Sequence, residues 1–155
     1  TTLFRSPLGN KFVLGVRGKA VVSSKGLLSN YTSTLIQAPA FTPTPHSKTI
    51  FNPAFRSTQY LAAGVIPIWK ILNNLQFRNE FYVFAPFRQI YEGENMVPYY
   101  GKAFTKYHFM GESSLVLDLS FASISLYANY YDYPARNWNF GINIGLLVFS
   151  PKFLE

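Results

Sequence analysis

Two histidines, seven carboxylates and a scatter of hydroxyls are the side chains here able to move protons, attack a carbonyl or hold a metal. His46 and His108 stand far apart, and no carboxylate cluster joins them at the spacing a metal site requires. A metal centre is therefore not expected, and with no cysteine neither a thiolate site nor a disulfide framework can form. Gly111-Glu112-Ser113-Ser114 has the outline of a nucleophile elbow, but it lacks the second glycine and falls inside an alternating stretch, where a strand is expected. His108 and Ser114 share one parity of that stretch and would in principle form a hydrolytic couple. Two such residues on one face are common by chance, so both are read as lining a polar wall. No catalytic, cofactor-binding or metal-binding residue is assigned, and no cofactor is expected. What remains is a set of isolated charges, among them Arg56, Glu80, Glu112 and Asp118, whose meaning depends on the elements that carry them.

Composition narrows those elements. Hydrophobic residues make up an ordinary 48% of the 155, yet only 14% are charged and 18% are aromatic, with 15 Phe and 11 Tyr spread along the chain. Such a balance suits many half-buried strands, each carrying an aromatic ring toward a membrane interface. No apolar run reaches the roughly 20 residues of a membrane helix, because Lys, Arg, Asn or Gly interrupts every candidate. The net charge of +7 would suit nucleic acid or anionic lipid headgroups. Lys and Arg are scattered singly with no long basic run, so no nucleic-acid partner is expected. The chain opens Thr1-Thr2-Leu3-Phe4 without Met or an apolar leader, which reads as a processed chain or a fragment.

Periodicity supplies the elements themselves. Across 137–149, Trp138, Phe140, Ile142, Ile144, Leu146 and Val148 fall on one side of an extended strand, and Asn137, Asn139, Gly141, Asn143 and Gly145 on the other. The preceding segment alternates Ala122, Ile124, Leu126, Ala128 and Tyr130 against Ser123, Ser125, Tyr127, Asn129 and Tyr131. Asp132 to Arg136, with Pro134 unable to donate to a ladder, forms the turn of an antiparallel hairpin. Further strands follow from the apolar row Phe109 to Leu119, which sets Glu112, Ser114 and Asp118 on the other side, and from Leu75 to Phe87, opposing Arg78, Glu80 and Arg88, where Asn79 interrupts the apolar row. Leu61 to Ile71, and Phe12 to Val22 with Lys11, Arg17, Lys19 and Ser23 on the opposite parity, complete a count of about six. At about ten to fourteen residues these strands are longer than the globular norm and fit a tilted crossing of a bilayer. The expected fold is all-β: a segment of an antiparallel transmembrane β-barrel, charges lining the lumen and aromatics at the strand ends. About six strands cannot close a membrane barrel, so the others are expected from upstream in the same polypeptide or from another copy.

Between Lys25 and Thr58 runs a long connection rich in Leu, Ile, Phe and Tyr, expected to pack as an external loop or one folded into the lumen. From here on the sequence resembles the C-terminal barrel of Bacteroidetes-type patatin-like phospholipases. The resemblance rests on Gln37-Ala-Pro-Ala-Phe-Thr-Pro-Thr-Pro45, Phe51-Asn-Pro-Ala-Phe-Arg-Ser-Thr-Gln-Tyr60 through Gly64, Glu80-Phe-Tyr-Val-Phe-Ala-Pro-Phe-Arg88, Tyr100-Gly-Lys102 and Asn129-Tyr-Tyr131 onward to Phe149. It spans nearly the whole chain. It implies a barrel of the surface-antigen superfamily, which includes outer-membrane insertases and two-partner secretion transporters, with about 16 strands. It further implies the outer membrane of a Gram-negative bacterium, with outer-membrane lipid and the barrel assembly machinery as partners. The full-length protein would be a lipid acyl hydrolase whose catalytic part lies upstream, since the Gly-x-Ser-x-Gly elbow and Gly-rich oxyanion loop are not in this chain. The superfamily also carries a loop Arg, in a Val-Arg-Gly-aromatic context, that meets an acidic group on the lumen wall. Phe55-Arg56-Ser57 occupies the matching place, with Ser57 where the superfamily has Gly. The resemblance thus implies a contact of Arg56 with Glu80, Glu112 or Asp118.

Three functions compete at this level. A scaffold would anchor, and translocate or display, the upstream hydrolase; a pore would conduct small solutes past the long loop; a soluble β-barrel would bind an apolar ligand, its apolar face turned inward.

Overall fold

A computed structural model describes residues 1–132 and 137–146. The expected turn through Pro134 and the strand end at Val148 and Phe149 lie outside them. The chain is all-β. Strands β1 (Thr2–Pro7), β2 (Phe12–Val22), β3 (Gln59–Lys70), β4 (Leu75–Pro86), β7 (His108–Asp118), β8 (Ala122–Tyr131) and β9 (Trp138–Leu146) form one antiparallel sheet in the order β1-β2-β3-β4-β7-β8-β9. A separate hairpin joins β5 (Arg88–Glu92) to β6 (Pro98–Ala103), and a short helix α1 (Tyr31–Gln37) lies in the long connection. The sheet is open among the described residues, with β1 and β9 at its edges.

Six long strands of the sheet coincide closely with the alternating stretches of the sequence. The others do not announce themselves: β1 has six residues whose two parities, Leu3-Arg5-Pro7 and Thr2-Phe4-Ser6, separate no apolar face, and β5 and β6 are similarly short.

Because antiparallel partners share a face, the register sorts side chains into rows across the sheet. One row runs Phe4, Val16, Val65, Phe81, Gly111, Tyr130, Trp138. A neighbouring row on the opposite face runs Glu80, Glu112, Asn129, Asn139. Burial inverts the soluble pattern: Phe81 is 52% and Ile144 69% exposed, whereas Glu80 is 2% and Asn129 0% exposed. The apolar face stands open and the polar face is covered.

The cover is the long connection. Phe41 and Phe55 from it pack with Tyr60, Tyr82, Phe84, Met110 and Tyr131 of the sheet into the main core. Helix α1 starts at Asn30, whose side chain accepts the Ser33 N–H, and ends before Pro39, which cannot continue it. Leu35 and Ala38 pack on Ile90 of β5, so the hairpin and α1 form a second, smaller core. Two glycines admit tyrosines on the covered face: a Cβ on Gly64 would meet the Tyr82 ring and lie 2.6 Å from the Phe81 carbonyl, and a Cβ on Gly141 would meet the Tyr127 side chain. Each tyrosine thereby shields bare backbone on the adjacent strand.

The connections divide by length. Residues 8–11, 71–74 and 119–121 make short turns at one end, while the long connections 23–58 and 87–107 lie at the other. The apolar face carries rings toward both margins, with Phe12, Trp69 and Phe77 in one chain of contacts and Tyr130 against Trp138 in another.

Candidate functional site

The densest polar chemistry lies where residues 38–57 seat on the covered face. Arg17 donates to the Pro43 carbonyl at 3.1 Å and Lys19 to the Ala40 carbonyl at 3.5 Å, which also accepts from the Tyr60 hydroxyl at 3.1 Å. Alternation had already set Arg17 and Lys19 opposite the apolar face of β2. Their partners were invisible, because a carbonyl acceptor leaves no mark in sequence.

Arg56 is tucked, but not against the wall. Its guanidinium donates to the carbonyls of Leu35 (3.0 Å), Ile36 (3.4 Å) and Ala38 (3.4 Å) and lies 4.4 Å from the Phe51 ring centre. The expected contact with Glu80, Glu112 or Asp118 is replaced by this one for a physical reason. The last carbonyls of a helix lack intrahelical partners and carry partial negative charge, and the isolated bridge between Ala40 and Arg56 sets the arginine beside them. Ser57 is fully buried, and its hydroxyl lies 3.0 Å from both the Gln59 and Arg88 carbonyls, within reach to donate to either and fasten the cover to β5.

The carboxylates are engaged separately. Glu80 pairs with Arg78 at 2.7 Å and accepts the Tyr82 hydroxyl. Glu112 lies directly opposite Glu80, and its Oε2 has no hydrogen-bond partner; both amide atoms of the adjacent Asn129 likewise have none. Asp118 sits at the short-turn end, accepting from Gln76 at 3.0 Å and Ser123 at 2.9 Å.

The pairs weighed for catalysis are also placed. His108 faces Asp132 at 3.1 Å and Gln89 at 3.3 Å, whereas Ser114 donates to the Arg78 carbonyl at 3.4 Å. The structure does not bring His108 and Ser114 together. Ser113, on the apolar face, donates to Asn79 at 2.6 Å. Asn79 breaks the apolar row of β4 without being left unsatisfied, because its polar partner lies opposite it on β7. A depression of about 770 Å³ on the apolar face, lined by Val65, Phe81, Phe109 and Trp138 among others, offers almost wholly apolar surface and no acid–base pair.

His46, read from sequence as isolated, is a latch: its Nδ1 lies 2.9 Å from the Tyr131 hydroxyl and its ring packs on Tyr127 and Tyr131. Burial pushes its pKa below the ordinary histidine value of about 6.5. The unfolded chain therefore takes up the proton more readily. The folded cover keeps its full stability above about pH 6.5 and loses part of it as the pH falls below that value. Hydrogen exchange across residues 41–55, compared at about pH 8 and pH 5.5 after correction for intrinsic rates, is expected to show faster opening at the lower pH, and a His46→Gln protein should lose most of that difference.

Comparison with known proteins finds no family model, no curated protein and no solved structure that matches this chain.

Proposed function

We propose that the chain is part of a transmembrane β-barrel in the outer membrane of a Gram-negative bacterium, where it anchors, and translocates or displays, an upstream patatin-like phospholipase domain. The observation that carries this reading is the inverted sheet: bulky apolar side chains on the open face, carboxylates and amides on the covered one. Leaving Phe140 76% exposed and Ile144 69% exposed to water would be costly, whereas in hydrocarbon those side chains are in their preferred solvent. Supporting it are long strands of 9 to 12 residues in β2–β4 and β7–β9, the segregation of short turns from long connections, and rings toward both margins of the apolar face. The remaining strands come from upstream in the same polypeptide or from another copy, and the barrel assembly machinery inserts the whole. The hydrolase partner rests on the residue resemblance alone.

The seated segment favours a scaffold over an open pore, since it occupies the face that would line a channel. A soluble barrel for an apolar ligand would instead put its apolar set inside. Spin labels at Ile142 and Asn143 in vesicle-reconstituted protein test the reading. Ile142 is expected among acyl chains and Asn143 in water, and the reverse result would end it. Steady single-channel conductance with the segment intact would favour the pore, and stable partition into detergent-free buffer the soluble barrel.

A further inference from the structure

The β5–β6 hairpin emerges where the apolar face ends. On β4 the open face is built by Phe77, Phe81, Val83 and Ala85, and the next residue of that parity, Phe87, meets Phe104 edge-on with ring centres 5.2 Å apart. Arg88 lies over the Phe87 ring at 5.5 Å. Lys102 and Lys106 flank Phe104 two residues away on either side, and all three cations are exposed. The hairpin's own carboxylates, Glu92 and Glu94, stand at its tip, and Asp132 is held by His108 at 3.1 Å. The hairpin base thus carries Arg88 on β5 and Lys102 on β6, with Lys106 just beyond, beside the Phe87–Phe104 ring pair and without a carboxylate of its own.

Its backbone is also unusual. Phe104 has a φ of +51°, a left-handed conformation that bulky residues rarely adopt, fixed by its N–H donating to the Phe87 carbonyl at 2.9 Å. The Phe104 ring is 44% exposed, and Tyr107 and Phe109, the next rings along the chain, are exposed as well. Rings at the edge of an apolar face, with cations just beyond, are the arrangement that places apolar surface in the acyl region and positive charge at headgroup level.

We propose that the hairpin base, comprising Arg88, Lys102 and Lys106 around the Phe87–Phe104 pair, binds the phosphate groups of membrane lipid headgroups. This rests on the membrane reading above. Guanidinium and ammonium groups supply charge-assisted hydrogen bonds to phosphate oxygens, and the rings hold the lipid's upper chain segments against the barrel.

The test uses the full-length protein in neutral detergent, titrated with phosphorylated lipid A or with the same lipid stripped of its phosphates, and read by native mass spectrometry. Phosphorylated lipid is expected to be retained at least tenfold more tightly. The triple variant Arg88→Gln/Lys102→Gln/Lys106→Gln should retain it about a hundredfold more weakly, at about fivefold per cation. Single Lys102→Gln and Lys106→Gln proteins, changed only at exposed positions, should each show a partial loss. Equal retention of both lipids, unchanged retention by the triple variant, or displacement by millimolar inorganic phosphate would each overturn the proposal. Protease protection of the same protein in vesicles separates the two levels: insertion with indifference to phosphate sinks this site alone, and failure to insert sinks it together with the barrel.

Discussion

Replacing Phe84 by alanine should lower the unfolding free energy by about 3–5 kcal/mol. Phe84 is 0% exposed and its ring meets those of Phe41 and Phe55 from the covering segment and of Tyr60 from β3. Truncation removes a ring that touches both Phe41 and Phe55 of the cover, and a rigid sheet cannot collapse into the void. Denaturant unfolding of the refolded protein, followed by the fluorescence of Trp69 and Trp138, measures the loss. Trypsin should at the same time reach Lys48 more readily. A cost under about 1 kcal/mol would mean that the segment does not pack on the sheet in the working protein.

Arginine in place of Phe81 should cost about 2–4 kcal/mol when the protein is folded into vesicles, because Phe81 lies within the open apolar face, between Val65 and Gly111 on the neighbouring strands. In a soluble protein the same change at a half-exposed position would fall within about 0.5 kcal/mol of neutral. The size of the effect therefore reports the solvent outside the sheet. A near-neutral Phe81→Arg protein would count directly against a bilayer on that side.

Much of this architecture is legible in the residues. Alternation located β2, β3, β4, β7 and β8 nearly to their ends and β9 through the described residues, since a strand whose two faces meet different surroundings separates its side chains by parity, and a period of two admits no helix. It also assigned Arg17, Lys19, Arg78, Glu80 and Glu112 to one face. Short strands escaped it: β1, β5 and β6 have too few residues for a parity to stand out, and they are recognised only by their partners.

The site was less legible than the sheet. Arg56 was marked by a resemblance, whereas its partners are backbone carbonyls at the end of α1, groups that every sequence possesses and none advertises. Ser57 and His46 acquire their roles from Arg88 and Tyr131, residues 31 and 85 positions away in the chain. Asn79, a flaw in one strand's pattern, is resolved by Ser113 on another.

By itself the sequence determined the local geometry: which stretches extend, which side chains share a face, and which of those faces is oily, because each of these depends on neighbours within a few residues. Which face is covered and by what, how Arg56, His46 and Glu80 are partnered, and that Phe87 meets Phe104 beneath Arg88 emerge from tertiary packing. Those outcomes depend on register and on the path of a long connection, set by packing between residues distant in the chain, which no local pattern encodes.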